Sequence, residues 1–307
     1  MAFLTRISRW FLFALIFFLP LWFLPVTAFP VELNKVYFIS VLALLSLAAW
    51  IGAGLQEGRV AVVVNYALGA FGILLVGWLV SSLFSESIYA SLFGLGTEPT
   101  TLATLFLGGI IMFLIPSLFS DQSDVVRALA LLFFASLLII IFFVVHTVLG
   151  FGLYGERFFN PIGSWNDLGV FFGFVAMLAF PLLGTSSFRP RIWRIVVTVF
   201  FLTGLVGALA INLNWVWVGV AIVALVFLAL LLALRHAKSL LFTVAFALVF
   251  ISFLLILVRE PLASLPRALG APLEVVPSWK GTLSVVREVL KTNLVLGFGP
   301  NTFNLAW

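Results

Sequence analysis

The sequence predicts an all-α fold, a polytopic transmembrane helix bundle of about nine spans with an extracytoplasmic amphipathic helix. Three observations predict it. The 307 residues are 64% hydrophobic and only 9% charged, where a soluble domain is roughly 45–50% apolar and about 25% charged; the mean hydropathy is +1.29. Apolar stretches long enough to cross a bilayer recur along the chain. Lys and Arg sit at the ends of those stretches, with a bias that sets an orientation.

In order, the stretches run over 9–27, 36–55, 64–84, 101–119, 127–149, 167–185, 193–211, 214–234 and 239–258. The first follows Arg6 and Arg9 and has the outline of a signal peptide. No small-residue cleavage site follows it and many more spans do, so it reads as a retained first span. The seventh and eighth are separated only by Asn212-Leu213-Asn214, which predicts a tight antiparallel hairpin. With the N-terminus in the cytoplasm, the inner segments hold Arg6, Arg9, Arg59, Arg127, Arg189, Arg191, Arg194, Arg235 and Lys238. The short outer loops hold only Lys35 and Arg157. That bias places loops 85–100 and 150–166 and the tail outside. Two regions follow: a transmembrane helical domain over 1–258 and an extracytoplasmic segment over 259–307.

Composition also excludes. The net charge of +5 is spread over span ends rather than gathered in a patch, so no nucleic-acid partner is expected. The absence of cysteine excludes disulfides, thiol catalysis and Cys-ligated metal. Two histidines without a carboxylate cluster argue against a metal site, and no cofactor is expected. The lipid bilayer is the one partner composition requires.

The tail carries five of the 16 basic residues. Pro277-Ser278 reads as a helix start with Ser278 as N-cap. From Trp279 to about Thr292, Trp279, Leu283, Val286 and Leu290 share one face, and Lys280, Arg287 and Lys291 form a basic stripe beside it. Such a helix lies along a membrane surface, apolar face down. The plainer reading of the stripe is anchoring by Lys and Arg at headgroup level. The functional one is a phosphate-binding edge. Gly297-Phe298-Gly299-Pro300 then predicts a tight turn.

The second informative stretch is the loop before the sixth span, which gathers Arg157, Asn160, Ser164, Asn166 and Asp167. Ser164 or Asn166 suits an N-cap and Asp167 suits the helix dipole; for Asn160, Pro161 and Asp167 the structural reading is preferred. Arg157 has two readings. Its guanidinium matches phosphate oxygens, or it pairs with Glu156 or lipid headgroups. His146, in a long apolar span, reads first as a buried helix-bridging residue, and His236 as a cytoplasmic surface residue.

These segments together resemble a family. Loop 155–169 and its following span resemble the Arg-to-Gly-Asn-Pro segment of bacterial O-antigen ligases and related polymerases. Pro277-Ser278-Trp279, the amphipathic helix and Asn293-Leu-Val-Leu-Gly297-Phe-Gly299-Pro-Asn-Thr-Phe303 resemble that family's extracytoplasmic stretch. Glu32-Leu-Asn34-Lys35 and Ser81-Ser-Leu-Phe-Ser85 are also similar to members. Ser164-Trp165 departs from the usual Asn-Pro, and Val276 stands where many relatives have an arginine.

The resemblance implies a metal-independent, inverting membrane glycosyltransferase of the bacterial inner membrane. It would take a glycan from undecaprenyl pyrophosphate to an acceptor hydroxyl on a glycan, lipid or protein. Arg157 and Arg287, with Lys280, Lys291 and Asn166, would bind the pyrophosphate donor. The family's catalytic histidine follows the Gly-x-Gly turn, so the expectation is that it lies beyond Trp307 and that this chain is C-terminally truncated and inactive alone. Two readings from other classes compete. A lipid or glycan flippase would show charged residues at mid-membrane, which are nearly absent; a non-catalytic membrane scaffold would need none of the outer polar groups.

Overall fold

A computed structural model of the chain describes residues 3–24, 31–58, 63, 65–85, 87–94, 101–151, 159–184, 191–235, 239–258, 279–292 and 299–302. Every regular element among them is helical: α1 (Phe3–Phe18), α2 (Val31–Glu57), α3 (Tyr66–Leu83), α4 (Ile88–Phe93), α5 (Leu102–Leu118), α6 (Gln122–Phe143) with a π-helical turn (Val144–Val148), α7 (Trp165–Leu182), α8 (Arg191–Ile211), α9 (Asn214–Ala233), α10 (Leu240–Leu257) and α11 (Trp279–Thr292). Seven of these, α2, α3 and α6 to α10, are long and apolar enough to cross a membrane. The chain is a multi-pass helical protein in contact with lipid. Lipid imposes this solution, because an apolar medium offers no partner to an unpaired backbone N–H or C=O.

All nine stretches read from the sequence are helical, but two are shorter than a full crossing. α5 has 17 residues. α1 has 16, with Arg6 and Arg9 inside it, and it ends at Phe18 instead of reaching residue 27. Pro20 explains the stop, since proline lacks the N–H and disfavours helix at the preceding residue. The freed carbonyls of Leu19 and Pro20 accept from Lys35 Nζ at 2.9 and 3.2 Å. A cation is well placed there, at a helix C-terminus. Lys35 therefore lies in the first turns of α2, which begins five residues before the expected span.

By contact the chain divides into two compact units, Met1–Ala135 with Val275–Trp307, and Ser136–Glu274. This cut falls within α6.

In the first unit, α1, α2 and α5 share a core of Leu12, Leu15, Ala43, Leu107, Ile110, Leu114 and Leu118. Two serines set the α1–α2 register. Ser8 Oγ donates to the Ser46 carbonyl at 2.7 Å and Ser46 Oγ to the Ser8 carbonyl at 2.9 Å. Interhelical bonds of this kind are worth only about 0.6 kcal/mol each in membranes, so they specify alignment more than stability. In the first turn of α6, buried Asp124 pairs with Arg9 of α1 at 3.0 Å.

In the second unit, α7 is the hub. Gly204 and Gly207 of α8 bring that helix against α7: a Cβ on Gly204 would lie 2.8 Å from both Ala176 N and Phe172 O. Gly173 of α7 likewise receives Val216 of α9. The expected tight α8–α9 hairpin does not form. After the turn, the main contacts of α8 are with α7, and those of α9 are with α10 and α7. Asn212 makes the divergence local: it adopts φ +53°, and its Oδ1 accepts from Trp217 Nε1 at 3.0 Å.

Candidate functional site

The turn at residues 299–302 fits closely against a distant segment of the chain. Gly299 has φ +98°, a conformation that favours glycine. Its Cα faces the segment joining α3 to α4: a Cβ there would sit 2.3 Å from Ser85 Cβ and 2.6 Å from Ser91 Oγ. Ser91 Oγ donates to Ser85 Oγ at 2.7 Å. Thr302 Oγ1 closes the turn on the Gly299 carbonyl. Ser85, Ser91 and Thr302 are all buried, so the cradle is a packed polar contact and not a solvated loop.

Helix α4, which supplies Ser91, lies within the stretch that the sequence presents as loop 85–100. Its signals are local. Ser87 Oγ accepts from the Ala90 N–H at 3.4 Å as N-cap, and Gly94, at φ +74°, ends it. Six residues are too few for a periodicity reading.

The cradle carries a prediction. In Gly299→Ala the new methyl meets Ser85 Cβ, an atom that no side-chain rotation can move, at a left-handed backbone position. The combined strain is about 1–3 kcal/mol. Hydrogen exchange at the amides of Asn301 and Thr302 should therefore speed up roughly 5- to 150-fold, with little change in global melting. Unchanged exchange there would show that the cradle does not hold the turn.

Helix α11 forms as expected over Trp279–Thr292. Lys280, Arg287 and Lys291 are exposed, and so are Val286 and Leu290. A third face, Thr282, Val285 and Val289, is half-buried. Glu288 pairs with Lys291 at 2.7 Å, a partner that dilutes the basic stripe at its C-terminal end. The N-cap expected of Ser278 and the side chain of Trp279 lie outside the described residues.

In the second unit, the loop before α7 is ordered by its own side chains. Asn160 Oδ1 accepts from the N–H groups of Ile162 and Gly163 at 3.0 and 3.1 Å, and its Nδ2 donates to the Gly163 carbonyl. Ser164 and Asp167 make a reciprocal capping box: the Asp167 N–H donates to Ser164 Oγ at 3.0 Å, and the Ser164 N–H to Asp167 Oδ2 at 3.1 Å. The structural roles preferred for Asn160 and Asp167 are the ones these groups fill. Asn166 sits half-buried in the first turn of α7. Arg157 and His236 lie outside the described residues.

His146 is fully buried within the π-helical turn that follows α6. Its ring stacks on Phe142, with centroids 5.0 Å apart. Phe142 also meets Phe159 edge-on at 6.3 Å, so the π-turn and the pre-α7 loop share one aromatic cluster. Pi-turns recur at functional sites, but this histidine is packed as an aromatic. Among the described residues no three His, Asp or Glu side chains gather as metal ligands would.

A largely apolar groove of about 310 Å³ lies between α3 and α5, lined by Leu68, Phe71, Gly72, Leu75, Phe106 and Phe113 among others. At 1.5 Å rise per residue, Leu75 is about 15 Å along the chain from Ser85. Comparison of the chain with known protein families, with curated proteins and with solved structures found no match.

Proposed function

We propose that this protein is a membrane glycosyltransferase of the O-antigen ligase type, working at the outer face of a bacterial inner membrane with its N-terminus in the cytoplasm. One observation carries the reading. Two segments that resemble that family, Ser81 to Ser85 and the Gly297 to Phe303 stretch, lie about two hundred residues apart, and they meet through Gly299, Ser85 and Ser91. A shared resemblance between distant segments is more telling when the fold brings them to one place.

The chemistry asks for three things. A prenyl tail needs apolar cover in the membrane, and the α3–α5 groove offers it. The pyrophosphate needs cations; on α11 the exposed Lys280 and Arg287 are the candidates for it, and Arg157 is the candidate that the resemblance implies. In the transfer, the acceptor oxygen bonds to the anomeric carbon as the bond from that carbon to the pyrophosphate oxygen breaks. The leaving pyrophosphate keeps the electron pair, and the hydroxyl proton passes to the base that the resemblance implies. Cations at the leaving oxygen stabilise the charge that develops there.

The test is binding of an undecaprenyl-pyrophosphate oligosaccharide to the purified chain in detergent. Arg157→Ala and Arg287→Ala should each weaken binding about tenfold to a hundredfold, the loss of a hydrogen bond to a charged group. Lys291→Ala should do less, because Glu288 already engages that ammonium. Equal binding by all three variants would remove the site assignment.

A further inference from the structure

From the three faces of α11 we infer that this helix is a docking surface for the anionic lipid headgroups of the bilayer that holds the chain. Its edge of Lys280, Arg287 and Lys291 meets phosphates while Val286 and Leu290 enter the acyl boundary. The inference does not depend on the transferase reading, and it gives Lys280 and Arg287 a use that competes with donor binding.

Three observations point to lipid. First, the exposed residues are of two kinds on adjoining edges. Val286 and Leu290 are 36% and 40% exposed, directly beside exposed Lys280, Arg287 and Lys291. A helix facing water alone gains nothing from that apolar edge, whereas one lying in an interface buries it. Second, the side away from the basic edge, Gly281, Thr282, Val285 and Val289, is half-buried, as is Leu283 at the margin of the apolar edge, whereas Val286 and Leu290 are left open. Third, the charge is one-signed where it meets the apolar edge. The single acid, Glu288, lies on the far side and pairs with Lys291 at 2.7 Å, leaving Lys280 and Arg287 as the net cations.

A bilayer is necessarily at hand, since the chain carries seven helices able to cross one. Anionic headgroups complement the two net cations, and each Lys or Arg near such a surface favours binding several-fold.

The chain has no cysteine, so single labels report cleanly. The experiment places a nitroxide on Val286→Cys or Ser284→Cys in the full chain. The protein is reconstituted in nanodiscs of phosphatidylcholine alone or of equimolar phosphatidylcholine and phosphatidylglycerol, and accessibility to oxygen and to a water-soluble nickel chelate is read. In the anionic discs the 286 label should gain oxygen and lose nickel contact, while the 284 label stays open to nickel. Lys280→Gln with Arg287→Gln should lower the docked-to-free ratio roughly 30-fold. Molar salt should act in the same direction on the unmodified helix.

The proposal is overturned if the 286 label is as open to nickel as the 284 label in anionic discs. It is equally overturned if the double variant and salt leave the 286 label buried. It also fails if inorganic pyrophosphate, added to phosphatidylcholine discs, moves the 286 label as far as anionic lipid does, since the edge would then be an anion site and not a lipid contact. Donor binding by Arg157→Ala in detergent reads the transferase proposal separately, so either can fail alone.

Discussion

Gly204→Ala should destabilise the protein, while the same change at Gly77 should not. A Cβ at residue 204 would press on backbone atoms of α7, 2.8 Å from Ala176 N and Phe172 O and 3.1 Å from Ala176 Cα. No rotamer relieves a clash with a neighbouring backbone, so α8 must move off α7. That movement would also open the close packing at Gly207, where the absence of a Cβ lets α8 approach the Phe172 ring. Overpacking of this kind costs about 1–3 kcal/mol, against which alanine returns up to about 1 kcal/mol of helix propensity. At Gly77 no atom lies within 4 Å of the added methyl, and only the propensity gain remains. Thermal unfolding in detergent, followed by intrinsic tryptophan fluorescence, should show a lower midpoint for Gly204→Ala and an equal or higher one for Gly77→Ala. Bulkier Gly204→Val should fall further. If the two alanine variants melt alike, the α7–α8 contact is looser than its geometry requires.

That glycine contact also marks where the sequence stops being legible. The spans were readable because hydropathy is a property of composition, summed over about twenty residues and indifferent to partners. The cap of α7 was readable because Ser164 and Asp167 are three residues apart and satisfy each other's backbone. Choice of helix partner is different in kind. Asn212-Leu213-Asn214 fixes only that two helices follow closely. Which neighbour each prefers depends on where Gly173, Gly204 and Gly207 let backbones approach, and that is a tertiary fact. The candidate site divides the same way. The basic edge of α11 follows from spacing within one helix. Ser85 and Ser91 could not be assigned to the Gly299 turn from sequence, because the pairing spans some two hundred residues and rests on the absence of one methyl group. The early end of α1 was legible in principle, since Pro20 is a local stop; an unbroken apolar run masked it.

Asp124→Ala should be among the most destabilising single changes in the chain, and a second substitution should undo much of it. Asp124 is 1% exposed, and its Oδ2 lies 3.0 Å from Arg9 Nη1, whose side chain is only 13% exposed. The carboxylate opens α6, where the helix dipole favours a negative charge. Arg127 approaches the other oxygen at 3.6 Å but is 66% exposed, so it adds at most about 1 kcal/mol. Removing the carboxylate takes away the counter-ion of the Arg9 guanidinium, and breaking a buried pair from one side costs about 3–5 kcal/mol. The pair itself need not be worth that much, because both ions lost their water to form it. Arg9→Met with Asp124→Leu, which removes both charges and keeps apolar volume, should therefore be clearly more stable than Asp124→Ala alone. The comparison separates two accounts of why α1 is tied to α6. If the double variant is as unstable as the single one, the attraction between the charges dominates. If it recovers most of the loss, the cation deprived of its counter-ion is the cause, and the ion pair serves to fix which residues of α1 and α6 face each other.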